Sequence, residues 1–342
     1  MFQEKLRELA AGKTLTESEA AKMMDEIMEG AATPCQIAGF LSILSLRGET
    51  VDELAGCVRS MKAHARPLHY AKELLDIVGT GGDGTATFNI STASAILLSS
   101  LGVCVAKHGN RSVSSTSGAA DALEALGISI KTTPEEAAAL LDRTNMCFLF
   151  APLYHASMKY AIGPRKELGF RTIFNMLGPL TNPAGAERQL LGVYDKKVAE
   201  AYASALQKLG TRRTLVVTGE DGMDEMTIAG RTDAFLVENG AIKRFSVIPE
   251  DVGLTRGKLE DIQVDNPEAS AALIESIFKK ETANQTATDS VLLNAGAGLF
   301  VAGRADSIAE GIHQARGAID EGLAMNQLAL LRQETRDVSH VS

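Results

Sequence analysis

The sequence contains no tryptophan, only 9 prolines and only 4 cysteines among its 342 residues. The cysteines are scattered and form no C-x-x-C pair, which indicates a reducing compartment and argues against a structural zinc site. Nowhere do about 18 uncharged apolar residues follow one another, as a membrane-spanning helix requires. The first residues also lack the apolar run of a secretion signal. We therefore expect a cytoplasmic protein without a membrane partner.

Positive charge is also in deficit. Lysine and arginine number 34 against 43 aspartates and glutamates, so the formal net charge is −9. Because no strongly basic patch offsets this field, we expect no nucleic acid partner. The content of 45% hydrophobic and 23% charged residues is typical of a soluble globular protein, and the length is enough for about two domains.

Residues 1–65 show the signals of helix starts and helical apolar spacing, with no strand signals. The pattern predicts three small helices. A unit this thin leaves apolar stripes uncovered, so we expect a homodimer that forms through this helical domain. The predicted starts are the capping boxes Thr16-x-x-Glu19 and Thr50-x-x-Glu53 and the pair Thr33-Pro34.

From Leu74 onwards, short β-rich runs alternate with helical patterns, which favours a parallel sheet covered by crossover helices. Asn239-Gly240 lies between two further strand-like arms and predicts a hairpin. Helical patterns then fill residues 267–333. The predicted strands are LLDIV (74–78), VCVAK (103–107), ISI (128–130), CFLF (147–150), LLGVY (190–194) and TLVVTG (214–219).

These patterns predict an α/β protein with a small all-helical N-terminal domain and a large α/β domain that has a mostly parallel central sheet. The helical domain covers residues 1–65 and is joined in space by residues of about 165–185, where a short helix is followed by a Gly/Pro hinge. The second domain covers residues 74–342.

The loops that follow the strands are the expected ligand sites of an open α/β sheet. The first, GTGGDGTATFNIST (79–92), is rich in glycine and leads to a helix whose N-cap we predict to be Ser91, an arrangement suited to anions. Its glycines also satisfy G-x-G-x-x-G, so a dinucleotide site is an alternative. Against that alternative, the helix begins about six residues after the last glycine, and the next strand ends in Lys107, where an NAD site has an acid.

Two further loops supply charges of opposite sign. KHGNRSVSSTSG (107–118) carries three basic side chains and several hydroxyls, which form a second anion site beside the first. GEDGMDEMT (219–227) is acidic and comes from the same edge of the sheet, which indicates Mg²⁺ because this ion prefers carboxylate, water and phosphate oxygens. A magnesium diphosphate substrate fits all three loops.

The quoted loops, together with GPRKELGFRTIFNMLGPLTNP (163–183), resemble the anthranilate phosphoribosyltransferase family over nearly the whole chain and in the same order. The resemblance implies a homodimer with the site between hinged domains. It also implies transfer of the 5-phosphoribosyl group from phosphoribosyl pyrophosphate to anthranilate, which gives N-(5-phosphoribosyl)anthranilate and diphosphate for tryptophan biosynthesis. Mg²⁺ is the implied cofactor, with two ions.

The resemblance also implies the site residues, with no covalent nucleophile and no general base among them. Position 119 departs from the family pattern, because many relatives have a phosphate-binding serine where this chain has Ala119. Phosphoribosyl pyrophosphate would be bound by Gly79, Gly82, Asp83, Thr87, Asn89, Ile90, Ser91, Thr92, Lys107, His108, Gly109, Asn110, Arg111, Ser112, Val113, Ser114 and Ser115. Anthranilate would be bound by Gly79, Asn110 and Arg165. The metal ligands would be Ser91, Asp224 and Glu225.

Two other functions fit part of the pattern. A pyrimidine nucleoside phosphorylase of the same fold would use phosphate as its nucleophile and would need no partner for an aryl carboxylate, so Asn110 and Arg165 argue against it. A noncatalytic relative that binds nucleic acid would have a basic surface and would have lost its metal-binding acids. The net charge of −9 and the retained Asp224 and Glu225 favour the transferase.

Overall fold

The computed structural model describes residues 1–111 and 117–339. Four helices form the N-terminal part, one more than the sequence predicts. The capping boxes at Thr16 and Thr50 are confirmed, and Thr33 caps its helix in the same way. The additional helix is the first, which packs Phe2 against Phe40 with ring centroids 6.1 Å apart. The four helices are α1 (Phe2–Ala10), α2 (Glu17–Met28), α3 (Pro34–Arg47) and α4 (Val51–Ala63).

A seven-stranded sheet forms the centre of the second part, in the order β3-β2-β1-β4-β5-β6-β7. Strands β1 to β5 are parallel to one another, and β6 and β7 continue the sheet with antiparallel pairing of β5 with β6 and of β6 with β7. The expected mostly parallel sheet is confirmed. The strands are β1 (Leu75–Gly79), β2 (Val105–Gly109), β3 (Met146–Phe150), β4 (Arg188–Gly192), β5 (Arg213–Gly219), β6 (Thr232–Glu238) and β7 (Ala241–Val247).

Helices cover both faces of this sheet, as short parallel crossovers require. The C-terminal segment predicted as helical over 267–333 contains four of them. The remaining helices are α5 (Ile90–Ser100), α6 (Ala119–Ala125), α7 (Pro134–Thr144), α8 (Ala151–Tyr154), α9 (Lys159–Leu168), α10 (Ile173–Leu177), α11 (Lys196–Leu209), α12 (Pro267–Phe278), α13 (Gln285–Ala302), α14 (Ile308–Asp320) and α15 (Leu323–Ser339).

Two local predictions are wrong. Residues 128–130 form no strand, because the Ile128 N–H closes the end of α6 on Leu123 O and the Ser129 N–H donates to Thr335 Oγ1 on α15. The N-cap of α5 is Asn89 and not Ser91. Asn89 Oδ1 accepts the Thr92 N–H at 3.0 Å and also a hydrogen bond from Ser91 Oγ at 3.4 Å.

The predicted hairpin turn is confirmed at Asn239-Gly240, where both residues have positive φ (51° and 73°), as a type I′ turn demands. The hairpin extends the sheet on the side away from β3.

The N-terminal helices share one hydrophobic cluster with α9, α10 and α11. Ala161, Ile173 and Phe174 pack there with side chains of α2, α3 and α4. The domain boundaries and the joining of residues of about 165–185 to the helical domain stay a prediction. The larger part of the sheet packs in a separate cluster with α5, α6 and α12 to α15.

Candidate active site

A cleft of about 320 Å³ opens at the carboxyl ends of β1, β2, β4 and β5. The strand order reverses at β1, since β2 and β3 lie on one side of it and β4 on the other, which is where open α/β sheets bind ligands. Of the predicted site residues, the following line the cleft: Gly79, Gly82, Asp83, Thr87, Asn89, Ser91, Lys107, His108, Gly109, Asn110, Arg111, Asp224 and Glu225.

The remaining predicted site residues are placed elsewhere. Ile90 and Thr92 are buried in the first turn of α5 and do not line the cleft. Arg165 lies on α9 outside the lining, with its guanidinium carbon 5.2 Å from the centre of the Phe174 ring. The predicted binding residues Ser112, Val113, Ser114 and Ser115 lie outside the described residues.

Sequence reasoning missed several lining residues. Arg171 and Asn175 reach the cleft from the segment around α10, and Tyr194 reaches it from the end of β4. Arg171 donates a hydrogen bond to Gly82 O of the glycine loop and stacks on Tyr194 at 4.0 Å. Arg171 and Asn175 belong to the quoted GPRKELGFRTIFNMLGPLTNP run, so the motif contained the signal, but no local pattern distinguishes them from their neighbours.

The glycine loop is held against the acidic loop by close backbone packing. A Cβ on Gly79 would collide with the Asp224 carboxylate, and a Cβ on Gly192 would collide with the Asp224 backbone carbonyl. Asp224 Oδ2 in turn accepts the Gly81 N–H at 2.5 Å. Glycine at the ends of β1 and β4 therefore allows the two loops to meet.

Lys107 is the buried cation of the cleft, with a side chain only 1% exposed. Its Nζ donates to Ile77 O at 2.6 Å and to Ser91 Oγ at 3.0 Å. Burial lowers the pKa of Lys107, while Asp76, Glu225 and Asp224 raise it by charge attraction. Lys107 thus faces the cleft with one ammonium group already fixed in direction.

Three carboxylates gather opposite Lys107. Burial, followed by the charge of Asp83, raises the pKa of Asp224 to about 7, and burial, followed by the charge of Asp224, raises the pKa of Glu225 to about 8. The Asp224 N–H also donates to Asp83 Oδ2 at 3.4 Å. Negative charges that are buried together are costly without a counterion, so a cation would be stabilising here.

The donor chemistry fits Mg²⁺. Within residues 1–111 and 117–339, no three His, Cys, Asp or Glu side chains form a complete metal site. Mg²⁺ needs less than that from protein, because it commonly takes one or two carboxylates and completes its shell with water and substrate phosphates. Asp224, Glu225 and the Ser91 hydroxyl offer oxygen ligands of this kind beside the anion-binding loops.

His108 and His155 form a buried ring pair beside the cleft, with centroids 5.2 Å apart. Burial lowers the pKa of His108 to about 3 and that of His155 to about 4. Neither Nε2 has a hydrogen-bond partner among the described residues. Both rings are therefore neutral at physiological pH.

Comparison with known proteins identifies the class. Residues 71–325 match the α/β domain of a glycosyl transferase family, and residues 3–65 match the helical bundle domain of such a family. The fold and the site thus define a glycosyl transferase with an N-terminal helical bundle.

Named relatives narrow this class. The chain is 54% identical to anthranilate phosphoribosyltransferase of Geobacillus kaustophilus. The 340 aligned residues cover 99% of this chain and 99% of the relative. The crystal structure of the Thermus thermophilus enzyme of that name superposes with a TM-score of 0.91 at 42% identity, over 97% of this chain and 99% of the other. The Saccharomyces cerevisiae enzyme in complex with PRPP and Mg superposes with a TM-score of 0.89 at 27% identity, over 98% of each chain.

The chain belongs to the anthranilate phosphoribosyltransferase family. It is a glycosyltransferase that transfers the 5-phosphoribosyl group to anthranilate, which gives N-(5-phosphoribosyl)anthranilate and diphosphate in tryptophan biosynthesis. As for membrane association, none of the helices within the described ranges combines the length and the hydropathy needed to cross a bilayer.

Proposed function

We propose that the cleft binds phosphoribosyl pyrophosphate between the glycine loop, Lys107 and the acidic loop, with two Mg²⁺ ions. The observation that carries the proposal is the placement of a buried lysine and three like-charged carboxylates around one opening. One Mg²⁺ would be held by Ser91 and Glu225, and the second by Asp224 and Glu225. The yeast relative was crystallised with PRPP and Mg, which supports the ligand and the cation.

The chain's own residues supply position and charge to the reaction. The backbone N–H groups of the glycine loop and of the first turn of α5 suit phosphate oxygens. Lys107 lines the same cleft, and its ammonium would stabilise the charge that develops on the departing diphosphate. When bound, Mg²⁺ would neutralise part of this diphosphate charge.

The attacking group needs little activation. A neutral arylamine carries an available lone pair, so no general base is required until the C–N bond has begun to form. We accordingly assign no covalent nucleophile and no general base, and the reaction proceeds through an oxocarbenium-like transition state in which positioning dominates.

Anthranilate would lie at Gly79 and Asn110, with its carboxylate on Arg165. The planar guanidinium suits a planar carboxylate. Since Arg165 lies on α9 outside the cleft lining, this contact requires the helical part to move towards the α/β part, so substrate capture includes closure. A complex of the yeast relative with 4-fluoroanthranilate supports a site for the aromatic substrate.

The assembly and the compartment are also proposals. We infer a cytoplasmic homodimer that forms through the helical domain. Leu46 on α3 is 91% exposed, and Tyr160 and Ile162 on α9 are exposed as well, so apolar surface is concentrated on and beside the helical domain.

The test is the linkage between Mg²⁺ and phosphoribosyl pyrophosphate in thermal unfolding. A concentration of about 100 Kd should add roughly 2.7 kcal/mol of stability if only the folded state binds. The rise in melting temperature should require Mg²⁺, because diphosphate alone would be repelled by Asp83, Asp224 and Glu225. Anthranilate alone should shift melting much less. A shift of equal size in the presence of a chelator would contradict the proposed metal site.

A further inference from the structure

Backbone pairing between strands β1 and β2 is limited to their first residues, which leaves a gap in the hydrogen-bonded ladder beyond them. Within the described residues, their register is limited to Leu75 with Val105, whereas β1 pairs with β4, and β2 with β3, along all five positions. In a continuous parallel ladder the backbone groups of adjacent strands would bond to each other. Here side chains occupy the gap.

Asp76 and Asn182 bridge that gap, and they are 0% and 3% exposed. Asp76 Oδ1 accepts the His108 N–H at 3.1 Å, and Asp76 Oδ2 accepts a hydrogen bond from Asn182 Nδ2 at 2.8 Å. Asn182 Nδ2 also donates to Ala106 O at 2.8 Å. Ala106 and His108 are the residues directly before and after Lys107, so the bridge holds the backbone on both sides of the lysine.

The same bridge reaches the segment that follows α10. Asn182 Oδ1 accepts the Ala184 N–H at 2.9 Å, which fixes the amide in direction within this segment. Gln189 on β4 donates its Nε2 to Pro179 O at 3.0 Å and so fastens the segment a second time. This segment continues directly from α10, which carries Asn175 at the cleft.

The bridge requires two side-chain atoms at residue 76 that both accept hydrogen bonds. Both partners of Asp76 are donors, and an asparagine there would direct its NH₂ group at one of them. Burial raises the pKa of Asp76 to about 6, while the Asn182 amide, the charge of Lys107, the His108 N–H and the Gln189 amide each lower it. A backbone ladder would satisfy the same strands without a buried carboxylate, so the bridge is a costly arrangement for stability alone.

We propose that Asp76 and Asn182 are positioning residues. They hold Lys107 at the phosphate-binding edge and couple it to the segment that follows α10, the helix that carries Asn175. Neither side chain lines the cleft, so both act through the backbone around Lys107. The inference rests on the proposed binding of phosphoribosyl pyrophosphate at Lys107.

The test compares steady-state kinetics of Asp76→Asn, Asn182→Ala and the exchange variant Asp76→Asn/Asn182→Asp. Each single variant should raise the KM for phosphoribosyl pyrophosphate about tenfold or more and lower kcat, because displaced charged groups lose their alignment. The KM for anthranilate should change less. In the exchange variant, the amide at position 76 can accept from the His108 N–H and donate to the carboxylate at position 182, but Ala106 O loses its donor. Only the contact at His108 is restored, so a part of kcat/KM should return at most. This recovery is a readout that general loss of stability would not give.

Gln327→Ala is the matched control. Gln327 is a buried amide on α15 whose Nε2 donates to Ser99 Oγ and Thr144 O, so its loss removes comparable hydrogen bonds far from the cleft. It should lower the melting temperature while both KM values stay within about twofold. The inference is overturned if Asp76→Asn and Asn182→Ala behave like this control.

A Lys107→Ala variant in the same assay separates this inference from the proposed function. If Lys107→Ala raises the KM for phosphoribosyl pyrophosphate strongly while Asp76→Asn and Asn182→Ala leave it unchanged, the positioning role is rejected and the proposed function stands. An unchanged KM in Lys107→Ala rejects the proposed placement of the substrate and the positioning role with it.

Discussion

Charged side chains are arranged differently at the two ends of the central sheet. At the amino ends of the strands, Glu73 pairs with Arg188 at 3.1 Å and also with Arg212, so charges of opposite sign meet at the surface. At the carboxyl ends, Asp224 and Glu225 lie together and burial raises the pKa of each. The charges at the first end are paired within the protein, whereas the second end is where we propose that substrate and Mg²⁺ bind.

The same contrast holds for neutral polar groups. Among the described residues, the buried atoms without a hydrogen-bond partner include Thr80 Oγ1, His108 Nε2 and Ser117 Oγ, and all three residues line the cleft. Buried polar groups are normally satisfied. Three of the seven such atoms among the described residues therefore lie at the cleft, where a ligand could satisfy them.

The largest effect is expected when the carboxylates at the carboxyl ends of the strands are removed. Asp224→Asn with Glu225→Gln should lower turnover by more than about a hundredfold, because the variant loses the two carboxylate charges that we propose to hold Mg²⁺. The free energy of unfolding should stay equal or rise, since the amides remove repulsion between like charges. Turnover by anthranilate fluorescence and denaturant unfolding measure the two outcomes, and the absence of tryptophan keeps protein emission low.

Glu220→Gln is the control for that variant. Glu220 lies in the same loop and is exposed outside the cleft, where it accepts the Arg231 N–H. It should keep normal turnover. Near-normal activity of the double variant at limiting Mg²⁺ would refute the metal site.

A smaller effect distinguishes two arginines near the cleft. Arg165→Ala should raise the KM for anthranilate far more than that for phosphoribosyl pyrophosphate, because its guanidinium is the proposed carboxylate partner. Arg171→Ala should show the reverse preference, since Arg171 lines the cleft and contacts the glycine loop. Steady-state kinetics with each substrate varied in turn measures both. Equal changes in the two KM values for Arg165→Ala would indicate a structural role.

Local sequence signals predicted much of this site. Glycine-rich and charged loops after β-rich runs are visible in the chain, and their common edge follows from parallel strand order. The roles of Asp76 and Asn182 could not be read in this way, because they depend on a segment about a hundred residues away entering the sheet. The prediction of a strand at residues 128–130 was wrong for a related reason. Ile128 and Ile130 are buried in the sheet's core cluster, and an apolar alternation does not reveal whether helices or strands satisfy its backbone.

The buried histidines give the carboxyl end its own pH dependence. The pKa of His155 is about 4 in the folded protein because burial disfavours the charged ring, which is below its ordinary value of 6.5. The unfolded chain therefore binds the proton first, so this contribution to stability is present above pH 6.5 and is lost as pH falls towards 4. The loss is at most about 1.4 kcal/mol per pH unit.

A His155→Gln variant should thus show a shallower loss of unfolding free energy between pH 6.5 and 4.5 than the unmodified protein. His313→Gln provides the comparison, since His313 is exposed on α14. Denaturant unfolding at stepped pH measures all three proteins. Parallel pH profiles for the unmodified protein and His155→Gln would show that His155 does not carry this dependence.

The smallest effect is expected at the amino end. Glu73 and Arg212 are each 51% exposed, so their ion pair is screened by solvent. Glu73→Gln should cost less than about 1 kcal/mol of unfolding free energy and leave both KM values unchanged. At 1 M salt, where the screening length is about 3 Å, the difference in unfolding free energy between the variant and the unmodified protein should shrink further. A loss of activity at low salt would instead mean that the paired charges of this end help to set the geometry of the cleft, and the two ends of the sheet would no longer be independent.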